Sequence, residues 1–262
     1  MRKRISLIAW AVLAAAPLLA ESGLPAELEG VGIVEHIGRR VNPSLSFTNE
    51  DGYRVELGSF FHKGRPVLLN LVYYTCPMLC NLLLNGQTNT LRAIPWTPGE
   101  EFEIVTISID PTETPKLAGQ KKRTYLASYG RPAPGWHFLV DRDGNSKKLA
   151  EQVGFHYRYD ERQQQYAHAA AVMILTSDGK LSRYLYGVQF KPRDLRLALT
   201  EASAGKTVGA VDRLLLFCFH YDPLARTYVL FATNFMRAGG VAVVLVLGGV
   251  LLGLWRKEKA TA

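Results

Sequence analysis

Two cysteines and a distant histidine carry the chemistry of this chain. Cys76 and Cys80 lie in Tyr73-Tyr74-Thr75-Cys76-Pro77-Met78-Leu79-Cys80-Asn81, at the end of the apolar run Val67 to Tyr73. On a helix the spacing i and i+4 puts both side chains on one face, with Cβ atoms about 5–6 Å apart. That is wide for a disulfide, though local adjustment can bridge it, and it suits two thiolates converging on one soft ion. His168 is available as a third, nitrogen ligand. Two thiolates and an imidazole favour copper or zinc over hard cations. The start of a helix stabilises negative charge, so the Cys76 thiol is expected to be acidic and to sit in an exposed, electropositive position. The plain alternative, a pair of core cysteines, fits poorly with a place where strand turns into helix.

The elements that must position these residues follow from hydrophobic pattern and punctuation. Val67 to Tyr73 reads as a fully buried strand. Cys76 to Ile94 reads as a helix with Pro77 in its first turn. Phe102 to Ile109 is a second strand, closed by Asp110-Pro111, and Thr114 then caps a helix that has Pro115 at its first position and runs to about Tyr129. Trp136 to Val140 is a third strand, Asp141 to Gly144 a turn and Ser146 to Val153 a short helix. Ala170 to Leu175 and Leu181 to Tyr186 form a hairpin across Ser177 to Lys180, and Pro192 to Ala204 is the last helix of the core. Before this core, Gly32 to Ile37 resembles a strand and Asn49 to Gly52 a hairpin turn. A βαβαβ unit followed by a hairpin and a helix is an α/β, thioredoxin-like arrangement. His168 then stands at the entry to the fourth strand, facing the cysteine helix, where thioredoxins carry a cis-proline.

The ends of the chain account for most of its charge. Of the formal net +8, Arg2, Lys3 and Arg4 supply three and the Arg256 to Lys259 stretch a net two, leaving the body near +3. No basic stripe with interleaved aromatics is present, so nucleic acid is not an expected partner. Residues 1–20 have the charged start, apolar core and small-residue end of a signal peptide. Residues 238–255 carry no charge over 18 positions, and at 1.5 Å rise they cover about 27 Å, a bilayer core. The basic tail 256–262 reads as cytoplasmic. Between them lie an extension over 21–44, the thioredoxin-like domain over 45–205 and a juxtamembrane extension over 206–237. The functional domain is thus expected on the exported side of a membrane, in a bacterial periplasm. Three cysteines are too few for a disulfide scaffold, and the odd number leaves one unpaired.

The chain resembles the Sco/SenC family of copper-binding, thioredoxin-like proteins. The resemblance rests on Tyr74-Thr75-Cys76-Pro77-Met78-Leu79-Cys80, on Ser108-Ile109-Asp110-Pro111, on Thr114-Pro115 and on the downstream His168, and it spans about residues 45–205. It implies that Cys76, Cys80 and His168 bind copper, as Cu(I) or Cu(II). It also implies a part in assembling the binuclear copper centre of cytochrome c oxidase, with the copper-bearing subunit or another copper acceptor as partner. Two departures stand out: Ala167 occupies the place before the histidine where relatives often have Asp, and the anchor is C-terminal.

A rival reading makes Cys76 and Cys80 the catalytic redox pair of a thiol-disulfide oxidoreductase that reduces the acceptor's cysteines; it does not need His168. A thiol peroxidase is disfavoured, because Thr75 directly precedes Cys76. Several residues stay open between roles. Asp110 is either a neighbour of the site or a turn residue before Pro111, and Met78 is either a thioether donor or a variable first-turn position. Cys218 and His220 are either a second soft-metal pair or part of an apolar packing segment. His36, His62, His137 and His156 have no evident ligand partner.

Overall fold

The computed structural model describes residues 30–61, 64–207, 219–222 and 227–230, together with positions 240, 243, 245, 247 and 248. The segment 1–20 expected as a signal peptide, Cys218, His62 and most of 238–255 lie outside the described residues. Among the described residues, no helix is long and apolar enough to cross a membrane.

The core is built on a five-stranded sheet of β4 (Val67–Val72), β5 (Glu103–Ser108), β6 (Trp136–Leu139), β9 (Ala171–Leu175) and β10 (Leu181–Tyr186). Their order across the sheet is β10-β9-β4-β5-β6. β4, β5 and β6 run parallel, with Val67 opposite Glu103 and Val72 opposite Ser108. β9 is antiparallel to β4, and β10 antiparallel to β9. Every residue of β4, β5 and β9 is buried, which explains why those segments read as continuous apolar runs rather than alternating ones.

Helix α1 (Leu79–Arg92) connects β4 to β5, and α2 (Pro115–Tyr129) connects β5 to β6. Both crossovers step the same way along the sheet, so their right-handedness puts both helices on one face, where they pack against each other. Thr114 accepts the Leu117 N–H at 3.4 Å to open α2, and Gly130 closes it at φ 75°. Two further helices follow, α3 (Asn145–Gln152) and α4 (Pro192–Ser203). Close to the ends expected from sequence, these elements form a thioredoxin-like α/β core.

Three differences bear on the site. First, α1 starts at Leu79, not at Cys76. Pro77 disfavours the helical region for the residue before it, so Cys76 stays in the turn and the two cysteines do not share a helical face. Second, the stretch between α3 and β9 is not a loop. It forms β7 (Phe155–Asp160) and β8 (Gln165–His168), which pair as an antiparallel hairpin with Tyr157 opposite His168. Third, the early strand shrinks to β1 (Gly32–Ile33), paired with β7. Beyond it the chain is held by the Val34 N–H donating to Gly154 O at 2.8 Å. Gly154 has φ 64°, and a Cβ there would lie 1.8 Å from Val34 O, so only glycine fits. The turn over 49–52 is present, between β2 (Ser46–Thr48) and β3 (Arg54–Glu56), with Asn49 Oδ1 accepting the N–H groups of Asp51 and Tyr53.

Candidate metal centre

Cys76 hangs in a turn tied at both ends. Its N–H donates to Tyr73 O at 3.3 Å, and its carbonyl accepts from Asn81 Nδ2 at 2.9 Å. Asn81 Oδ1 in turn accepts from Lys121 Nζ and the Tyr125 hydroxyl on α2, at 3.3 and 3.2 Å. The first N–H groups of any helix lack intrahelical partners, and Met78, at the N-cap of α1, provides no side-chain cap. Cys76 Sγ fills part of that need by accepting the Cys80 N–H at 3.3 Å. The sulfur therefore meets the positive end of the helix from outside it.

Beneath this turn lies a carboxylate that the sequence did not advertise. Glu113 is 3% exposed. Its Oε1 accepts the Thr75 N–H at 2.7 Å, and its Oε2 accepts the Tyr74 N–H at 2.8 Å and the Ser108 hydroxyl at 2.6 Å. One side chain from the β5–α2 loop thus fixes the two peptides that lead into Cys76. In Thr112-Glu113-Thr114-Pro115 it looks like an ordinary solvated residue before a helix cap; the only sequence hint is its place just past a strand end.

His168 closes the site from β8. Its Nδ1 is 2.9 Å from Ala169 O, and its Nε2 is 3.1 Å from Cys80 Sγ. A carbonyl only accepts, so Nδ1 carries a proton, and Nε2 is the ring nitrogen that faces the Cys80 sulfur. That backbone contact is the usual device that fixes the tautomer of a ligating histidine. Tyr73 meets the imidazole edge-on, with centroids 6.0 Å apart, and Phe155 packs at 5.8 Å. Tyr166 packs on Tyr73, Tyr157 and Tyr159 to form an aromatic wall along the hairpin.

Both cysteines are free. They are also buried, at 5% and 2% exposure, which corrects the expectation of an exposed pair: the β7–β8 hairpin and its aromatics cover them. Their acidities separate. The Cys76 thiol is lowered to about 3, first by its hydrogen bond with Cys80, then by His168, the Cys80 N–H and Tyr73, against the opposing effect of burial. The Cys80 thiol is pushed up by the same contact with Cys76 and by burial. The pair thus rests as one thiolate and one thiol. Burial and the neighbouring sulfur also raise the Tyr73 phenol, and burial followed by the Asp110 charge pushes Tyr166 up to about 12.

The remaining candidates fall away from the site. Asp110 Oδ1 accepts from the N–H and hydroxyl of Thr112, at 2.8 and 2.6 Å, so it is held as a turn residue, and its charge helps raise the Tyr166 phenol. Met78 is 68% exposed. His36 Nδ1 lies 3.0 Å from Gln152 O, and His137 Nε2 lies 3.2 Å from Glu103; His156 is exposed on β7. His220 falls in the hairpin of β11 (Phe219–Asp222) and β12 (Thr227–Leu230), opposite Val229.

Among the described residues, no three His, Cys, Asp or Glu side chains are set as a ready ion-holding group. The 3.1 Å contact between Cys80 and His168 is a hydrogen-bond distance, shorter than two donors keep when they share an ion. The donor set nonetheless fits a soft metal: an acidic thiol, a second thiol, and an imidazole whose Nε2 faces that second sulfur.

A thioredoxin-like fold with a buried thiolate–thiol–imidazole cluster defines the class. The chain belongs to the SCO1/SenC family, whose model matches residues 35–202. Among solved structures it is similar to a candidate electron transfer protein of Aquifex aeolicus VF5, with 21% identity, TM-score 0.57, and coverage of 65% of this chain and 95% of that one. It is also similar to a SCO1/SenC family lipoprotein of Bacillus anthracis, with 15% identity, TM-score 0.51, and coverage of 65% and 99%. A third is the copper-bound ScoI of Arabidopsis thaliana, with 18% identity, TM-score 0.48, and coverage of 61% and 96%. The first two likenesses show a shared fold. No curated protein sequence matches the chain.

Proposed function

We propose that this protein is a membrane-anchored copper metallochaperone that holds its cargo through Cys76, Cys80 and His168. The observation that carries the reading is the contact of His168 Nε2 with Cys80 Sγ, with Nδ1 engaged by a backbone carbonyl. A disulfide-exchange site needs no such imidazole. Each group has a task. Cys76 offers a thiolate held by the Cys80 N–H. Cys80 offers a second thiolate once its proton leaves, with His168 Nε2 3.1 Å from its sulfur. Thereafter the imidazole serves as the nitrogen donor. Two soft sulfurs favour Cu(I), and the nitrogen accommodates Cu(II). The wall of Tyr73, Tyr157 and Tyr166 limits water at the sulfurs.

Family membership supports an acceptor in cytochrome c oxidase assembly, its copper-bearing subunit or another copper protein. The signal pattern over 1–20 and the uncharged run over 238–255 support an exported domain tethered to the membrane at its C-terminal end, in a bacterial periplasm.

The test is copper stoichiometry and absorption spectrum of the full chain, purified in detergent and reduced, beside His168→Ala. One copper per chain and a thiolate-to-Cu(II) band, lost or displaced in the variant, support the reading. A chain that retains no copper sinks it.

A second reading has its own observation. An acidic thiolate beside a protonated thiol is also the resting state of a thiol-disulfide oxidoreductase. In that case Cys76 and Cys80 are the catalytic pair and His168 is dispensable. A His168→Ala protein that supports oxidase assembly in full favours this reading over metal delivery.

A further inference from the structure

Among the described residues, the partners of Glu113 are two peptide N–H groups and one hydroxyl, all neutral. Such donors hold a carboxylate in place without cancelling its charge. At the effective dielectric of protein sites, about 20, a unit charge acts over roughly 10 Å with an energy worth about a tenfold change in an equilibrium. Glu113 lies next to the site: the two peptides it holds, those of Tyr74 and Thr75, immediately precede Cys76.

We propose that Glu113 sets the redox balance of the thiol site, as a positioning residue whose negative charge favours whichever form of the site carries one more positive charge. This rests on the copper reading above for one of its two consequences. When Cu(I) bound at the site gives one electron to a one-electron acceptor and becomes Cu(II), the site gains a positive charge beside a fixed carboxylate. Glu113 therefore lowers the Cu(II)/Cu(I) potential. The second consequence needs no metal. In the free protein a disulfide oxidant such as oxidised dithiothreitol takes two electrons from the pair. The S–H bond of Cys80 breaks, its proton leaves, and the S–S bond between Cys76 and Cys80 forms. A thiolate and a thiol become a neutral disulfide, so the site loses one negative charge, and Glu113 again favours the oxidised form. One carboxylate thus biases both reactions in the same direction.

The geometry argues against a purely mechanical role. Ser108 and the two peptides could be held by any acceptor of that length. A buried charge with only neutral partners is an expensive choice for that task, unless a cation-gaining site lies beside it.

The experiment uses the full chain in detergent and four variants: Glu113→Gln, Glu113→Asp, Ser108→Ala and Glu103→Gln. The thiol–disulfide equilibrium is read in dithiothreitol buffers without metal, the Cu(II)/Cu(I) equilibrium is read by redox titration of the loaded chain, and thermal midpoints are recorded beside both. Glu113→Gln is expected to shift both equilibria about tenfold toward the reduced form, ~59 mV upward for copper and ~30 mV for the dithiol. Glu113→Asp keeps the charge and stays within about threefold of the parent, whatever its thermal midpoint. Glu103→Gln, at the far edge of the sheet, moves neither equilibrium. Should Glu113→Gln fail to fold, Ser108→Ala decides: stripping one neutral donor leaves the charge less screened and shifts both equilibria about twofold toward the oxidised form. Equilibria that stay put in Glu113→Gln, or that follow the thermal midpoint across the Asp and Ala variants, overturn the proposal. A chain that binds no copper overturns the metal reading alone, because the dithiothreitol arm still tests Glu113.

Discussion

Two buried glutamates flank the same strand and are handled in opposite ways. Glu103 opens β5 and Glu113 lies in the loop beyond its end; they are 2% and 3% exposed. Glu103 meets Arg65 Nη2 and His137 Nε2, each at 3.2 Å. Glu113 meets two peptide N–H groups and a hydroxyl. At the first edge a charge is closed off by a cation. At the second it is held in place and left uncancelled, beside the thiols. In open α/β sheets the site lies at the carboxyl ends of the parallel strands, and here the contrast in charge handling follows that polarity. The stability of the sheet is vested in one edge and its chemistry in the other.

If so, the two edges fail differently. The largest effect belongs to Cys80→Ser. Loss of even a second-sphere partner of a metal ligand costs 10–100-fold in affinity, so loss of this thiol should lower copper affinity by at least about a hundredfold, with little change in thermal midpoint. Competition with a chromophoric Cu(I) chelator reads it, and unchanged affinity would remove Cys80 from the site. Next comes Arg65→Met at the far edge. It leaves Glu103 without its guanidinium, and because Arg65 is a quarter exposed the cost should be about 2 kcal/mol, below that of a fully buried pair. Urea unfolding checks this, while copper affinity should stay within about twofold of the parent. If copper affinity collapsed in this variant, the edges would not be independent. Smaller again is Ser108→Ala, which removes one of three donors to Glu113 and should cost about 1 kcal/mol; no loss at all would mean that the peptide N–H groups alone hold the carboxylate.

The same contrast shows what sequence can and cannot reveal. β4, β5 and β9 were legible because burial on both faces leaves an unbroken apolar run. α2 was legible through Thr114 and Pro115. Cys76, Cys80 and His168 stood out because their types are scarce and chemically soft. The β7–β8 hairpin was hidden, since His156, Arg158 and the polar turn over 160–164 break any apolar alternation and its pairing is satisfied largely by backbone. The start of α1 was misplaced because Pro77, tolerated in a first turn, also excludes Cys76 from the helix. Glu113 was invisible for a third reason. Its burial is a tertiary event, created when the β5–α2 loop folds over the turn before Cys76, and nothing local distinguishes it from Asp110, three positions earlier, which stays in its own turn with Thr112.

The last test reads the split between the thiols. The Cys76 thiol is lowered to about 3, against roughly 8.5 in an unfolded chain. A lowered acid contributes stability that is complete above the unfolded value and is lost as pH falls through the folded one, so this contribution should fade between about pH 8.5 and 3. Cys80 is shifted upward and acts with the opposite sign: its contribution is present below about 8.5 and is lost as pH rises beyond it. The two therefore act in different windows, Cys76 below about pH 8.5 and Cys80 above it, and the split itself is read in the spectrum. In a Cys218→Ser background, ultraviolet thiolate absorption of the native chain should correspond to one thiolate per molecule, flat from about pH 8 down to 5 and lost only near 3. Adding Cys76→Ser should abolish that plateau, whereas Glu103→Gln should leave it unchanged. A native titration centred near 8 would mean that the Cys80 N–H, His168 and Tyr73 do not hold the thiolate, and the site edge would then be no more electrostatically specialised than the edge at Glu103.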